Sequence, residues 1–308
     1  MIEETIDEVF AAGGCRGNLS VLEIDGPGRL SVAGGDLAVA ASTFKITIGL
    51  EFFCQAAEGK LDPTERVVVS PAEASLGGQG LCITEDPVEI SLRDLARLML
   101  TISDNTATDV LIRRLGMERV RARLTGLGFT GFHLPGTIQQ EFDTAARDAG
   151  FTGWAAMADA IRDATSPEEG EAMWQRVLAS PGMRPGRISS ATADDLAALV
   201  RAVWRDEAGP AEACSNLRRM LGQQRLTRKI ATGFGPDVLV ASKSGTVPGG
   251  VSNDVGAVTF PDGRRYAIAV LTRPLTLGAP TREDVLGTAA RVALDQLRTR
   301  AGLRRQTR

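Results

Sequence analysis

The chain has 308 residues, 43% of them hydrophobic and 24% charged, which is enough apolar material for a sizeable core. A net charge of -3 with a pI near 5.5 gives no general electrostatic reason to bind nucleic acid or an anionic membrane. The single histidine, His133, rules out a histidine-rich metal site, and any Ser-His-Asp triad would have to use it.

Residues 2–12 place Ile2, Ile6, Val9 and Phe10 on one helical face. This stretch is acidic where a secretory leader would be basic, and no run approaches the about 18 apolar residues of a membrane span. A native Met1 predicts a cytoplasmic protein; a removed leader would predict a secreted or periplasmic one. Strands are expected over 18–24 and about 29–39, around the turn Asp25-Gly26-Pro27-Gly28. Apolar spacings of three and four residues then predict helices starting near Ser42, Ser91, Asn105, Met117, Trp154, Glu171 and Thr192. Thr192 followed by Asp194 and Asp195 reads as a capped helix start. His133 falls in Gly131-Phe132-His133-Leu134-Pro135-Gly136, a loop or short strand, and residues 180–186 read as a loop. Strands return over 238–241, 254–260 and 266–271, the last two joined by a Pro261-Asp262-Gly263 hairpin turn. A final helix is expected over about 282–298. Cys15, Cys54, Cys82 and Cys214 form no CxxC pair and read as free thiols.

Strands at both ends with helices between them predict an α+β fold, an α/β sandwich whose antiparallel sheet is built from both chain ends. Helices flank the sheet, and a helical lobe is inserted into it. The expected organisation is one domain, with an α/β lobe at about 1–41 and 230–308 and a helical lobe at about 42–229.

Three short motifs stand in order: Ser42-Thr43-Phe44-Lys45, Ser103-Asp104-Asn105 and Lys243-Ser244-Gly245-Thr246. Ser103 follows Ser42 by 61 residues, and Lys243 follows Ser103 by 140. Each motif alone arises by accident, whereas together they describe one chemistry. If Ser42 opens a helix, Lys45 lies one turn on along the same face. A serine hydroxyl needs a neighbouring base to become nucleophilic, and a lysine amine serves once burial or a second cation lowers its pKa. Lys243 is the candidate second cation. Ser103 can relay a proton to a leaving group, and Asn105 can orient the substrate or Lys45. Lys243 and Ser244 would hold a substrate carboxylate. If Gly245 and Thr246 lie on an edge strand, the N–H groups of Ser42 and Thr246 would bind an oxyanion.

These motifs resemble those of the penicillin-recognising serine enzymes, most closely class A β-lactamases. The similarity extends to Val39-Ala40-Ala41 before the nucleophile, to Leu92-Arg93-Asp94-Leu95, to Thr106-Ala107-Thr108 and to Asn253-Asp254-Val255-Gly256, and covers about residues 15–300. It implies that Ser42 is the acylated nucleophile, Lys45 the general base and Ser103 the proton relay. It further implies that Asn105 contacts the substrate amide, and that Lys243, Ser244 and Thr246 hold its carboxylate and oxyanion. Class A enzymes also carry a Glu-x-x-Leu-Asn loop whose glutamate activates the deacylating water. Here the stretch is Thr137-Ile138-Gln139-Gln140-Glu141-Phe142-Asp143-Thr144, so Glu141 is the candidate, but no Leu-Asn follows it. The stretch 145–182 is longer and differently patterned than the family's loop.

Three functions remain open at this point. One is a β-lactamase-type hydrolase acylated at Ser42. The second is a cytoplasmic esterase, thioesterase or acyltransferase of small-molecule biosynthesis. The third is a penicillin-binding sensor that turns over slowly. Trp154 and Trp174 are candidates either for helix packing or for substrate platforms. No metal or other cofactor is expected, and the expected partner is a small acyl substrate carrying a carboxylate.

Overall fold

The structure, a computed structural model, describes residues 2–306 apart from 76, 78 and 227. Its frame is a five-stranded antiparallel sheet of β1 (Cys15–Glu23), β2 (Arg29–Val32), β8 (Leu239–Val247), β9 (Val251–Thr259) and β10 (Arg265–Pro274). Their order is β2-β1-β10-β9-β8, so the two chain ends meet at the β1–β10 pair and β8 forms one edge. This is the α+β architecture expected. The hairpin turn falls as predicted, with Gly263 at φ 81°, a left-handed position that suits glycine.

The strands read as nearly continuous apolar runs because both faces of the sheet are buried. Their alternation sorts large from small. Leu19, Val21, Ile268 and Val270 face α1 (Ile2–Ala12) and α11 (Asp284–Gln306), packing with Ile6, Phe10, Leu286 and Leu294. The intervening Ala257, Ala267 and Ala269 face the rest of the chain, where α9 (Ala193–Trp204) packs with Leu196, Val200 and Val203. Small side chains on that face let α9 approach closely. Thr192 caps α9 as expected by accepting the Asp195 N–H, so a helix from the stretch expected for the helical lobe belongs by packing to the sheet.

The expected strand over 29–39 is two strands in two sheets. Ala33 adopts φ 47°, and β3 (Leu37–Val39) joins β7 (Ser190–Thr192) and β6 (Phe132–His133) in a small sheet beside the active region. His133 is therefore on a short strand. The remaining helices include α2 (Lys45–Ala57), α3 (Leu92–Thr101), α4 (Asn105–Leu115) and α5 (Met117–Gly126), with Ser91 capping α3 and Asp104 capping α4. The stretch compared with a deacylation loop is instead helical. Residues 138–178 form α6 (Ile138–Asp148), α7 (Trp154–Arg162) and α8 (Pro167–Leu178) around a small core of their own, including Ala145, Ala146, Met157 and Val177. The helix α10 (Ala211–Leu221), also unexpected, packs on α2. All four cysteines are free thiols. Among the described residues no helix is long and apolar enough to cross a membrane, and no group of His, Cys, Asp and Glu side chains could hold a metal ion.

Candidate active site

Ser42 sits on a 3-10 turn, Ala41–Phe44, that leads directly into α2. The turn is set by tertiary contacts rather than by propensity. Ala41 takes φ 48°, a left-handed conformation that costs a non-glycine residue on the order of 1 kcal/mol. Asn253 Nδ2 donates to Val39 O at 2.8 Å and to Ala40 O at 3.1 Å, and Ala40 N donates to Ser189 O at 2.9 Å. Gly245 of β8 lies against the turn so closely that a Cβ there would stand 3.0 Å from Ser42 N. Sheet, small sheet and turn are thus locked together at the residue before the nucleophile.

Lys45 follows on the same side of the turn and is fully buried. Its Nζ donates to Ser103 O at 2.7 Å, to Asn105 Oδ1 at 2.6 Å and to Ser103 Oγ at 3.2 Å. Of these acceptors only the Ser103 hydroxyl can also give a hydrogen back. Ser103 is held in place by a φ of 65° and by Asp104, whose carboxylate accepts the Leu81 and Ala107 N–H groups. Among the described residues Ser42 Oγ makes no hydrogen bond, so the nucleophile and the Lys45–Ser103–Asn105 cluster adjoin without being paired. Burial lowers the Lys45 ammonium to about 7, against the opposing pull of the Asp104 and Asp109 carboxylates.

Lys243, the candidate second cation, is fully buried on β8 and is driven well below its ordinary value, first by burial and then by the charge of Lys45. Its Nζ donates to Ser244 O at 2.8 Å, and Gln224 Oε1 accepts from Ser244 N at 3.1 Å and Ser244 Oγ at 3.3 Å. Lys243 and Ser244 are buried with Gln224 Oε1 accepting from both, and Thr246 on the same edge strand lines the pocket. A lysine that the sequence motifs missed, Lys229, donates to Gly245 O at 2.7 Å and Thr246 Oγ1 at 2.9 Å. Burial lowers its pKa, and the carboxylates of Asp254 and Glu283 partly restore it. Beneath these lysines Asp254 is fully buried and raised by burial, with its Oδ2 accepting the Ile230 N–H.

Ser42, Asn105, Thr246 and Glu141 line one cavity of about 320 Å³. Its remaining wall is largely apolar and includes Ile138, Phe142, Trp154, Trp174 and Ile188. Trp154 and Trp174 also pack edge to face, with ring centroids 5.8 Å apart. Glu141 is delivered by the first turn of α6. Thr137 and Gln140 cap that helix reciprocally, and the Asp109 carboxylate accepts the N–H groups of Ile138 at 2.7 Å and Gln139 at 3.0 Å. Burial raises the Glu141 carboxyl to about 7, with the negative charge of Asp109 adding to the effect and the Ser189 hydroxyl, which donates to it, opposing it.

The whole chain has relatives with this arrangement of elements. A beta-lactamase from Sphaerobacter thermophilus is 26% identical, with a TM-score of 0.73 over 96% of each chain. A class A beta-lactamase from Mycobacterium abscessus is 17% identical and shares the fold, with a TM-score of 0.77 over 96% of this chain and 99% of its own. A Streptomyces cacaoi protein named beta-lactamase regulatory protein BlaB is 26% identical, over 93% of this chain and 94% of its own. The profile described as the beta-lactamase enzyme family matches residues 1–297. The chain belongs to the beta-lactamase enzyme family.

Proposed function

We propose that this protein is a serine acyl hydrolase that forms a covalent ester at Ser42. The observation that carries this reading is the buried amine of Lys45, three residues on from Ser42, which Ser103 and Asn105 hold and burial lowers to about 7. At neutral pH a large fraction of that amine is unprotonated and able to accept a proton. In this reading Ser42 Oγ attacks the acyl carbonyl and its proton passes to Lys45 Nζ. The N–H groups of Ser42 and Thr246 take the charge developing on the carbonyl oxygen. As the bond to the leaving group breaks, Ser103 hands that group a proton and recovers one from Lys45. Asn105 orients the acyl amide or ester. Lys243, Ser244 and Thr246 hold the substrate carboxylate, with Lys229 donating to Thr246 Oγ1 beside them. In the second half, Glu141 takes a proton from water as the water attacks the ester, Ser42 Oγ leaves with a proton from the Lys45 ammonium, and the proton on Glu141 returns to Lys45 through water.

A second reading is favoured by Glu141 itself. A carboxyl raised to about 7 is only partly ionised at neutral pH, and no Leu-Asn pair follows it. A slow second half would leave the protein acylated, which suits a sensor. The similarity to a protein named as regulatory points the same way.

Incubation with a chromogenic cephalosporin, followed by absorbance and intact mass, separates these readings. Steady turnover supports the hydrolase, and a lasting adduct without turnover supports the sensor. Cleavage of simple esters or thioesters, with neither of those outcomes, supports an esterase. In every case Ser42→Ala abolishes the adduct; an adduct that survives that change would refute the assignment of the nucleophile.

A further inference from the structure

We propose that the acyl group this site accepts is an unbranched, medium-length hydrocarbon chain, and that its tail passes Trp154 and Trp174 into a groove between α7 and α8. This rests on the acyl-transfer reading of Ser42.

The cavity at Ser42 does not end in a polar wall. On the side away from Lys45 it closes on Phe142, Trp154 and Trp174. Phe142 meets Trp154 edge to face at 5.0 Å, and Trp154 meets Trp174 at 5.8 Å. On the far side of the same two indoles lies a second cavity of about 660 Å³. Met157, Ala158, Ile161, Ala164, Pro167 and Gly170 make its wall mostly apolar, with Thr165, Ser166 and Glu171 as its polar members. The two tryptophans are therefore a shared partition between a chamber holding the nucleophile and an apolar groove.

The chemistry of the walls selects the occupant. A carboxylate at the far end of the acyl group would lose its water along a mostly aromatic and aliphatic wall and would meet the acidic side chain of Glu171 there. A hydrocarbon chain gains from the same burial, by roughly 4-fold in binding for each methylene removed from water. Small residues on both sides of the groove, Ala158 and Ala164 from α7 and the turn after it, Gly170 from α8, leave width for a chain. The two tryptophans pack against the small α6–α8 core, whose buried members are Ala145, Ala146, Ala149, Met157 and Val177, rather than against the main core.

The experiment has two arms. In the first, kcat/KM is measured for p-nitrophenyl esters from acetate to decanoate. The expected result is a rise with chain length, of the order of 4-fold per methylene over the first steps. Ala158→Phe should lower the decanoate-to-acetate ratio by at least about 10-fold. Gly170→Leu blocks the groove from the other helix, where an added Cβ finds its nearest neighbours at 3.7 Å, and should lower the same ratio. Ester cleavage that is flat or falls with length would overturn the proposal while leaving Ser42 as nucleophile. In the second arm, decanoic acid is titrated into Ser42→Ala and tryptophan emission is followed. A saturable change, lost in the double variants with Ala158→Phe and Gly170→Leu, supports the groove even if no ester is cleaved, in which case the acyl-transfer reading alone fails. No saturable change, or one that survives both blocking substitutions, overturns the proposal.

Discussion

Replacing Glu141 by Gln tests how the protein holds a carboxyl group in a nearly dry wall. Glu141 is 5% exposed and its carboxyl rises from its ordinary 4.5 to about 7. A group whose folded pKa is raised leaves stability intact below the unfolded value and withdraws it as pH climbs through the folded one. Here the loss begins near 4.5 and is complete above about 7. At about 1.4 kcal/mol per pH unit, the full loss is on the order of 3 kcal/mol. Glutamine keeps an oxygen to accept the Ser189 hydroxyl but carries no charge at any pH, so Glu141→Gln should escape the loss. Urea denaturation of both proteins across this pH window should show the variant gaining on the wild type as pH rises. A stability difference that does not change with pH would refute the argument that burial governs this carboxyl. The same variant should lengthen the life of any acyl adduct at neutral pH, read by intact mass.

Other perturbations follow from the same geometry. The rate constant for acylation, measured in a single turnover, should rise with pH and level off above about 7, because Lys45 accepts a proton only when neutral; a flat profile would remove Lys45 as the base. Gly245→Ala places a methyl group 3.0 Å from Ser42 N and 3.0 Å from Ala41 Cβ, so the turn must shift. Acylation should slow by on the order of 10-fold or more with little loss of stability, checked by labelling rate and melting temperature. Asp109→Ala strands two N–H groups at the start of α6 and the Ser75 hydroxyl, and should cost about 3 kcal/mol by denaturation.

The frame was legible because its signals are local. Apolar β-branched runs marked β9 and β10, and Thr192 with its acids marked α9. The motif residues Ser42, Lys45, Ser103 and Asn105 converge as expected, because three of them are one short turn from each other or from a helix cap. What escaped notice depends on distant contacts. Nothing in the sequence near residue 229 announces that Lys229 will reach Thr246, and Gln224 is an unremarkable loop glutamine until β8 comes to it. Lys243 illustrates the same point. A motif records which residue is present, whereas its charge depends on burial, and burial there comes from chain far away. The stretch 137–144 resembles the family loop only in Glu141, and the helical spacing that follows the Thr137–Gln140 cap makes it the start of α6.

The pairing of β1 with β10 has a consequence for how the protein comes into being. The strand at Cys15–Glu23 finds its partner only some 250 residues later, at Arg265–Pro274. During synthesis that first strand has nothing but the short β2 beside it until almost the entire chain has emerged. The turn bearing Ser42 depends likewise on Asn253 and Gly245. A contact map so dominated by distant partners predicts slow folding, with an exposed strand edge that must be kept from associating in the meantime. Truncation near the C-terminal end should therefore abolish the nucleophile's setting even though every residue of Ser42-Thr43-Phe44-Lys45 is already in place.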